Sequence, residues 1–399
     1  VIFMVPSLLN DLLVLDLTRL LPGPLCTMLL GDYGADVIKI EDVDHGDPTR
    51  HIGSQIEGSG TFFRQINRNK RSLAVNLKAE QGREIIYRLI KQADVLVEGF
   101  RPGVMKKLGL DYDSLAGVNA RLIYASISGY GQLGSFKHKA GHDLNYTALT
   151  GLLELSANES GEPVMPAVQI ADIGAGSLMA VIGILMALHD RDKSGKGSFV
   201  DISMTRGLLP WLAYAASTLF DGKGLPGRNR GQITGAYACY NLYQTADRKY
   251  ISLGALEPVF WERFCQKVEH PEWIGQQYDP QQQKKLLIEV QQLFKTKTRQ
   301  QWVKSFAEVD ACCEPVLSLD ESVEHPLSIE NHFWLKNKVA NDHVELLTGF
   351  PLLFSGNPGT LRLQPPRHGE HSSQILTELN YSEEEIKVLD SRGIIRSGS

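Results

Sequence analysis

The sequence predicts an α/β fold: a large parallel-sheet domain with helices on both faces, joined through long helices to a smaller α/β domain. Three observations carry that prediction. Short apolar runs alternate with segments of helical period between residues 12 and 127, long helical patterns take over from Gly141, and a second series of strand and helix opens at Tyr250. Alternation of this kind builds parallel βαβ units, because a parallel connection must cross back over one face of the sheet. A chain of 399 residues is long enough to bury a large core and to form two or three domains.

Each element follows from local pattern. Residues 12–17 form a buried apolar strand, broken by Leu21-Pro22-Gly23-Pro24 ahead of the apolar helix 25–30. The run 35–40 is the second strand and, after a loop of Gly, Asp and Pro, 72–77 is the third. Segment 82–92 places Ile85, Ile86, Leu89 and Ile90 at helical spacing and leads into the strand Val95-Leu96-Val97, and a further helix precedes the strand 122–127. Helices are expected over 142–155 and 176–190. The second carries Leu178, Met179, Val181, Ile182, Ile184 and Leu185, is apolar nearly all round, and is expected to be buried. A strand at 198–203 and a helix to about Phe220 close the large domain, 1–220. Residues 221–235 read as a linker, and the smaller domain, 221–330, contains the strand 250–253 and helices at 261–268 and 281–294. Within the last of these, Gln281-Gln282-Gln283 reads as a solvated face. The segment 331–399 is expected to return to the large domain, with a helix from Ser372 and a capping box, Ser382-x-x-Glu385, opening the final one.

Charge and cysteine usage exclude several functions. A formal net charge of −5, with no block of five or six consecutive basic residues, argues against nucleic acid or a membrane surface as partner. No apolar run reaches the length of a membrane span, so no transmembrane helix is expected. The five cysteines Cys26, Cys239, Cys265, Cys312 and Cys313 form neither a CxxC pair nor a zinc-like spacing, and Cys312-Cys313 reads as core. A reducing compartment follows. Residues 1–7 lack the basic region and cleavage site of a secretory signal, and a cytoplasmic location is expected.

Several residues stand out as chemistry. Gly129-x-Gly131-x-x-Gly134 follows a strand, yet a dinucleotide site needs a helix opening at the third glycine, and Ser135-Phe136-Lys137-His138-Lys139 has no apolar helical stripe. His142 sits at a loop-to-helix junction with Asn145 and Tyr146 on the same helical face; it reads as an ordinary packed or surface histidine, or as a base kept neutral by the positive helix end. Asp172, just ahead of Gly174 and Gly176, reads as a helix N-cap and also as a residue beside which a ligand reaches free N–H groups. Glu257 caps or precedes a helix that Pro258 opens. Arg64, Arg68, Lys70, Arg71 and Lys78 form a basic cluster, read either as a solvated face or as a site for ligand phosphates.

Five motifs together resemble the class III CoA-transferase (CaiB/BaiF) family, and the likeness runs from about Leu12 to Ile395. They are Val14-Leu15-Asp16-Leu17-Thr18 with Pro22-Gly23-Pro24, the run from Leu30-Gly31-Asp32 to Ile40-Glu41, Asn69-Lys70-Arg71-Ser72, Glu98-Gly99-Phe100-Arg101-Pro102-Gly103, and Gly369-Glu370-His371. The resemblance implies a Rossmann-like large domain and an interlocked homodimer. In the family's transferases an aspartate where Asp172 stands forms covalent CoA intermediates. The α-methylacyl-CoA racemase branch is more similar still, through Gly141-His142-Asp143-Leu144-Asn145-Tyr146, Ala171-Asp172 and Gly254-Ala255-Leu256-Glu257-Pro258.

What the resemblance implies for chemistry is a two-base inversion at the α-carbon of an acyl-CoA thioester, which is the substrate. His142 and Asp172 are the bases, Glu257 orients His142, and Asp143, Asn145 and Tyr146 support them. Backbone N–H groups beginning near Asp172 are expected to meet the enolate oxygen. No metal, nicotinamide or flavin is called for. For the CoA moiety the implied residues are Val75, Lys78, Phe100, Arg101 and Lys107, with Arg68 and Lys139 in addition. Several relatives place an arginine after strand two, where this chain has Asp42, so a phosphate contact there must come from elsewhere.

Overall fold

The computed structural model describes residues 7–158, 160–220, 231–339 and 344–398. The chain forms two compact units. The first contains the chain up to Thr150, Ala167–Pro210 and the chain from Ile329 on; the second contains Gly151–Pro166 and Trp211–Ser328. The divisions expected at 220/221 and 330/331 thus fall at 210/211 and 328/329, and 151–166 belongs to the second unit. Pro210 explains part of the difference. It sits in a 3-10 turn, Leu209–Leu212, that interrupts the helix expected to run to Phe220. Residues 221–230 of the expected linker lie outside the described residues.

In the first unit six strands run parallel: β1 (Leu13–Leu17), β2 (Asp36–Glu41), β3 (Lys70–Val75), β4 (Val95–Glu98), β5 (Ile123–Ser128) and β6 (Phe199–Ser203). Their spatial order is β3-β2-β1-β4-β5-β6, and the C-terminal strand Ile395–Arg396 adds antiparallel beside β3. This is the doubly wound order, whose direction reverses between β1 and β4. Ligands of such sheets bind in the crevice beyond the carboxyl ends of the strands at that reversal. The register puts Leu17 opposite Glu98, and Glu98 opposite Ser126, at that end. Helices α1 (Pro22–Asp32) and α2 (Glu80–Ile90) cover the sheet. Ile85, Ile86, Leu89 and Ile90 of α2 join Leu15, Ile38, Leu73 and Leu96 in one core, as their spacing predicts.

Two helices differ from expectation. The segment 142–155 divides into α3 (Asp143–Leu149) and a short turn, Leu152–Leu155, because Gly151 takes the left-handed conformation between them. The later helix starts at Ala171, not at 176: a wide π-helical stretch, Ala171–Leu178, leads into α4 (Met179–Ser194). It is not buried all round. Leu178, Ile182, Leu185 and Met186 are exposed, the last by 68%. Joined in this way, Ala171–Ser194 is, among the described residues, a helix long and apolar enough to cross a membrane by length and composition. Reading contiguous apolar runs missed it, since Gly174, Gly176, Ser177 and Gly183 interrupt the run without breaking the helix.

The second unit has an antiparallel sheet, β7 (Tyr240–Gln244), β8 (Tyr250–Gly254) and β9 (Cys313–Pro315), with β8 central. Helices α5 (Pro258–Lys267), α6 (Gln283–Phe294) and α7 (Arg299–Phe306) bring Phe264 into stacking with Phe294 and Phe306 at 6.0 and 5.8 Å. Gln283 is not on a solvated face. It is buried, accepting from Ala238 N at 3.0 Å and donating to Gln276 O at 2.9 Å, so the polar run conceals one structural amide. All five cysteines are free; Cys313 is core as expected, whereas Cys312 is half-buried and lies outside the core.

Candidate active site

The turn after β1 is held from beneath. The buried Asp16 carboxylate accepts from Thr18 N (2.9 Å), Thr27 Oγ1 (2.7 Å) and Lys70 Nζ (2.9 Å). Burial disfavours its charge, but Lys70 and Lys39 outweigh that and hold the carboxyl well below the usual range. Gly23 is required where α1 crosses this turn, since a Cβ there would lie 2.2 Å from Thr18 Cβ. Two cavities open at the carboxyl ends of the strands. One, of 460 Å³, lies on the β2–β3 side with Val75 and Lys78 in its wall; the other, of 470 Å³, lies on the β5 side and contains His142 and Asp172. Thr18, Arg19, Phe100 and Arg101 line both. The loops after β1 and β4 therefore straddle the point where strand order reverses.

His142 is the N-cap residue of α3, exposed, with its backbone N–H donating to Asn145 Oδ1 at 3.0 Å. Asn145 thus helps to fix the helix start that presents His142. Tyr146 is buried behind them. Its ring occupies the space where a Cβ on Gly129 or Gly141 would stand, 2.4 and 2.7 Å from a ring carbon, and its hydroxyl donates to Gly141 O at 2.5 Å. That accounts for Gly129 of the GxGxxG motif: it admits an aromatic ring, and no helix opens at Gly134.

Asp172 is not the N-cap. It lies in the first π-helical turn, which Asp143 caps instead: one Asp143 carboxylate oxygen accepts from Ala171 N (2.6 Å) and Asp172 N (2.9 Å). These two N–H groups are therefore taken, and they are not the enolate donors expected from the sequence. The Asp172 carboxylate itself makes no hydrogen bond among the described residues. Burial pushes its carboxyl up to about 6, with the Asp143 charge adding and His142 opposing. Because Asp143 both caps and charges this turn, the variants Asp143→Asn and Asp143→Ala separate the two effects. Asn keeps an oxygen acceptor but removes the charge. It is expected to move the Asp172-dependent limb of a pH–rate profile to lower pH, whereas Ala should destabilise the fold by about 1–3 kcal/mol in urea unfolding.

Glu257 is the exposed N-cap residue of α5, with Pro258 at the first helical position, and belongs to the second unit. Of the residues implied for CoA, Val75, Lys78, Phe100, Arg101 and Lys139 line the two cavities, while Lys107 is exposed and lines neither. Arg68 does not face a ligand. It is fully buried, paired bidentately with Asp32 (2.9 and 2.7 Å), and donates to Thr348 O at 2.6 Å. Three more of the cluster pair with carboxylates: the buried Arg64 with Glu345 and Lys70 with Asp16, and Arg71 with the half-exposed Asp36 and Glu378. Of the five, Lys78 alone lines either cavity at the strand ends, so neither the solvated face nor the phosphate site describes the cluster as a whole.

Sequence reasoning passed over Arg19. Its guanidinium lies 5.2 Å from the Phe100 ring centroid, forms no ion pair among the described residues, and lines both cavities. Its signal was positional: it is the second residue past the end of β1, beside the reversal in strand order. Arg19 is thus a cation available where Asp42, an acidic wall of the β2-side cavity, is not.

Known proteins resemble this chain over nearly its whole length. The model for CoA-transferase family III matches residues 9–372. The chain is 36% identical to alpha-methylacyl-CoA racemase of Homo sapiens, covering 98% of each protein. It is 31% identical to succinyl-CoA:glutarate CoA-transferase of Homo sapiens, covering 97% of this chain and 90% of that protein. Its fold superimposes on the crystal structure of a CAIB/BAIF family protein from Brucella suis with a TM-score of 0.82, at 29% identity, covering 94% of this chain and all of the other. With its doubly wound sheet, its crevice at the strand reversal and a family match across most of its length, the chain belongs to CoA-transferase family III, the CaiB/BaiF family.

Proposed function

We propose that this enzyme is a racemase, or epimerase, that interconverts (2R)- and (2S)-2-methylacyl-CoA thioesters by two-base proton transfer at the α-carbon. One observation carries the reading: a carboxylate free of hydrogen bonds, with its pKa raised to about 6, shares a cavity with His142. A thioester α-proton is weakly acidic, so its removal needs a base of suitable pKa on one face and a proton donor on the other. Asp172 and His142 supply one each, exchanging roles with reaction direction. Glu257 as the group that orients His142 is part of the proposal. The CoA moiety extends into the β2-side cavity past Arg19 and Arg101. A homodimer belongs to the same reading, supported by the exposed Leu178, Ile182, Leu185 and Met186 on one helix, a surface that calls for a cover.

The similarity to a CoA-transferase supports a second reading, in which CoA moves between carboxylic acids. There the Asp172 carboxylate attacks the thioester carbonyl, the C–S bond breaks and CoA thiolate leaves; the thiolate attacks the aspartyl carbonyl of the resulting anhydride, releasing the donor carboxylate and leaving aspartyl-CoA, and the acceptor carboxylate then runs the two steps in reverse, taking the CoA and freeing Asp172. The experiment that decides is incubation with enantiopure (2R)-2-methylacyl-CoA in deuterated water, with and without a free carboxylic acid, followed by mass spectrometry and chiral analysis. The expected result is α-deuterium with loss of optical purity, independent of the acid. A new acyl-CoA that forms only with added acid, without deuterium, overturns the racemase.

A further inference from the structure

Glu98, the last residue of β4, is a carboxylate that the two-base scheme does not use. It is 4% exposed and has no cation paired with it among the described residues. One carboxylate oxygen accepts from Phe100 N at 2.7 Å; the other takes a short hydrogen bond from the hydroxyl of Ser126, a fully buried residue of β5. Ser126 Oγ in turn accepts from Gln132 Nε2 at 2.9 Å, and Gln132 N donates to Asp201 on β6 at 3.2 Å. Glu98, Ser126, Gln132 and Arg101 line a third cavity, of 340 Å³, with Lys106, Asp111 and Asp113 as its other charged residues. The loop Gly99–Gly103 is thus a partition, with the two ligand-side cavities on one side and this network on the other, and Arg101 lining all three.

We propose that Glu98 is a positioning residue for substrate: it fixes the Phe100–Arg101 loop at the strand reversal and, through Ser126 and Gln132, ties that loop to the turn carrying Tyr130. The role explains why a carboxyl is retained in a place that opposes its charge. Burial pushes it up to about 7 even against the Ser126 and Phe100 hydrogen bonds that favour its charge, the opposite of a residue selected for ion pairing. A carboxyl is the one side chain of this length that accepts a backbone N–H and a hydroxyl together with no donor of its own. A glutamine is nearly its isostere: its carbonyl keeps the Phe100 bond, and its amide faces a serine oxygen able to accept. A leucine leaves both donors unsatisfied, and the loop is then free to shift.

The role rests on the acyl-CoA reading above, and CoA binding tests it without reference to which reaction follows. CoA is titrated calorimetrically into the wild type, Glu98→Leu and Glu98→Gln, and kcat and KM for the acyl-CoA are measured alongside melting temperature. The expected result is about a 10-fold rise in Kd and KM for Glu98→Leu with kcat changed by less than about 3-fold, and recovery to within about 3-fold of wild type in Glu98→Gln. Wild-type Kd in Glu98→Leu overturns the proposal, as does a Gln variant as impaired as the Leu variant. Should Glu98→Leu fail to fold, Ser126→Ala removes one tether alone and is expected to raise Kd by about 2- to 5-fold; an unchanged Kd overturns the proposal. A wild type that binds CoA but neither racemises nor transfers overturns the functional reading and leaves the Glu98 comparison intact; one that does not bind CoA overturns both.

Discussion

Asp172→Asn is expected to lose α-proton exchange by about 10²- to 10⁴-fold in the direction where the aspartate is the base, and at the same time to make the protein more stable. The two effects have one origin. The carboxyl rises from its ordinary value of 3.8 to about 6 on folding, because burial and the neighbouring Asp143 disfavour the charge more than His142 favours it. A carboxyl raised by folding binds its proton more tightly in the folded state, so its ionised form destabilises the fold. That penalty is absent below about pH 3.8, grows as the pH rises towards 6, and is constant above. Asparagine never pays it. At pH 8 the variant should therefore unfold later in urea, by about 1–3 kcal/mol, and the difference should shrink towards pH 4. A variant that is less stable at pH 8 and still exchanges deuterium would remove Asp172 from the site.

Arg68→Met is expected to cost about 3–5 kcal/mol, because it leaves the buried Asp32 carboxyl, which burial already pushes up, without its guanidinium partner. The guanidinium also donates to Thr348 O and lies 5.1 Å from the centre of the Phe350 ring, so it links the end of α1 to the C-terminal part of the first unit. The double variant Asp32→Leu with Arg68→Met should recover much of the loss, since an apolar pair of similar volume often replaces a buried ion pair at little cost. Thermal unfolding reads the stability, and calorimetric titration with CoA reads the ligand. The expected pattern is lost stability with unchanged CoA affinity in whatever remains folded. A stable Arg68→Met protein with weakened CoA binding would return Arg68 to the ligand.

Lysine and arginine positions show why the site was only partly legible. Lys78 and Lys70 lie eight residues apart in one basic stretch, yet Lys78 lines a cavity while Lys70 is buried against Asp16, with its amine pushed down to about 8 by that burial. Local sequence carries the charge but not the carboxylate that a distant strand brings to meet it. Asp143 is similar: the motif around His142 marks it, but only folding places its carboxylate against two N–H groups 28 and 29 residues further on.

By itself the sequence determined the strand and helix alternation, the apolar faces that make the sheet, and the residue types at His142, Asp172 and Glu257, because periodicity, turn residues and motif spacing are properties of neighbours along the chain. Tertiary structure alone decided which charges face a ligand and which face each other, where the helix bearing Asp172 begins, and which of its N–H groups remain free. Those outcomes depend on pairings between segments tens to hundreds of residues apart. Burial sets the cost of any charge left without a partner: Arg64, Arg68 and Lys70 lie inside because carboxylates meet them there, while the unpaired Asp172 has its carboxyl pushed up in its cavity.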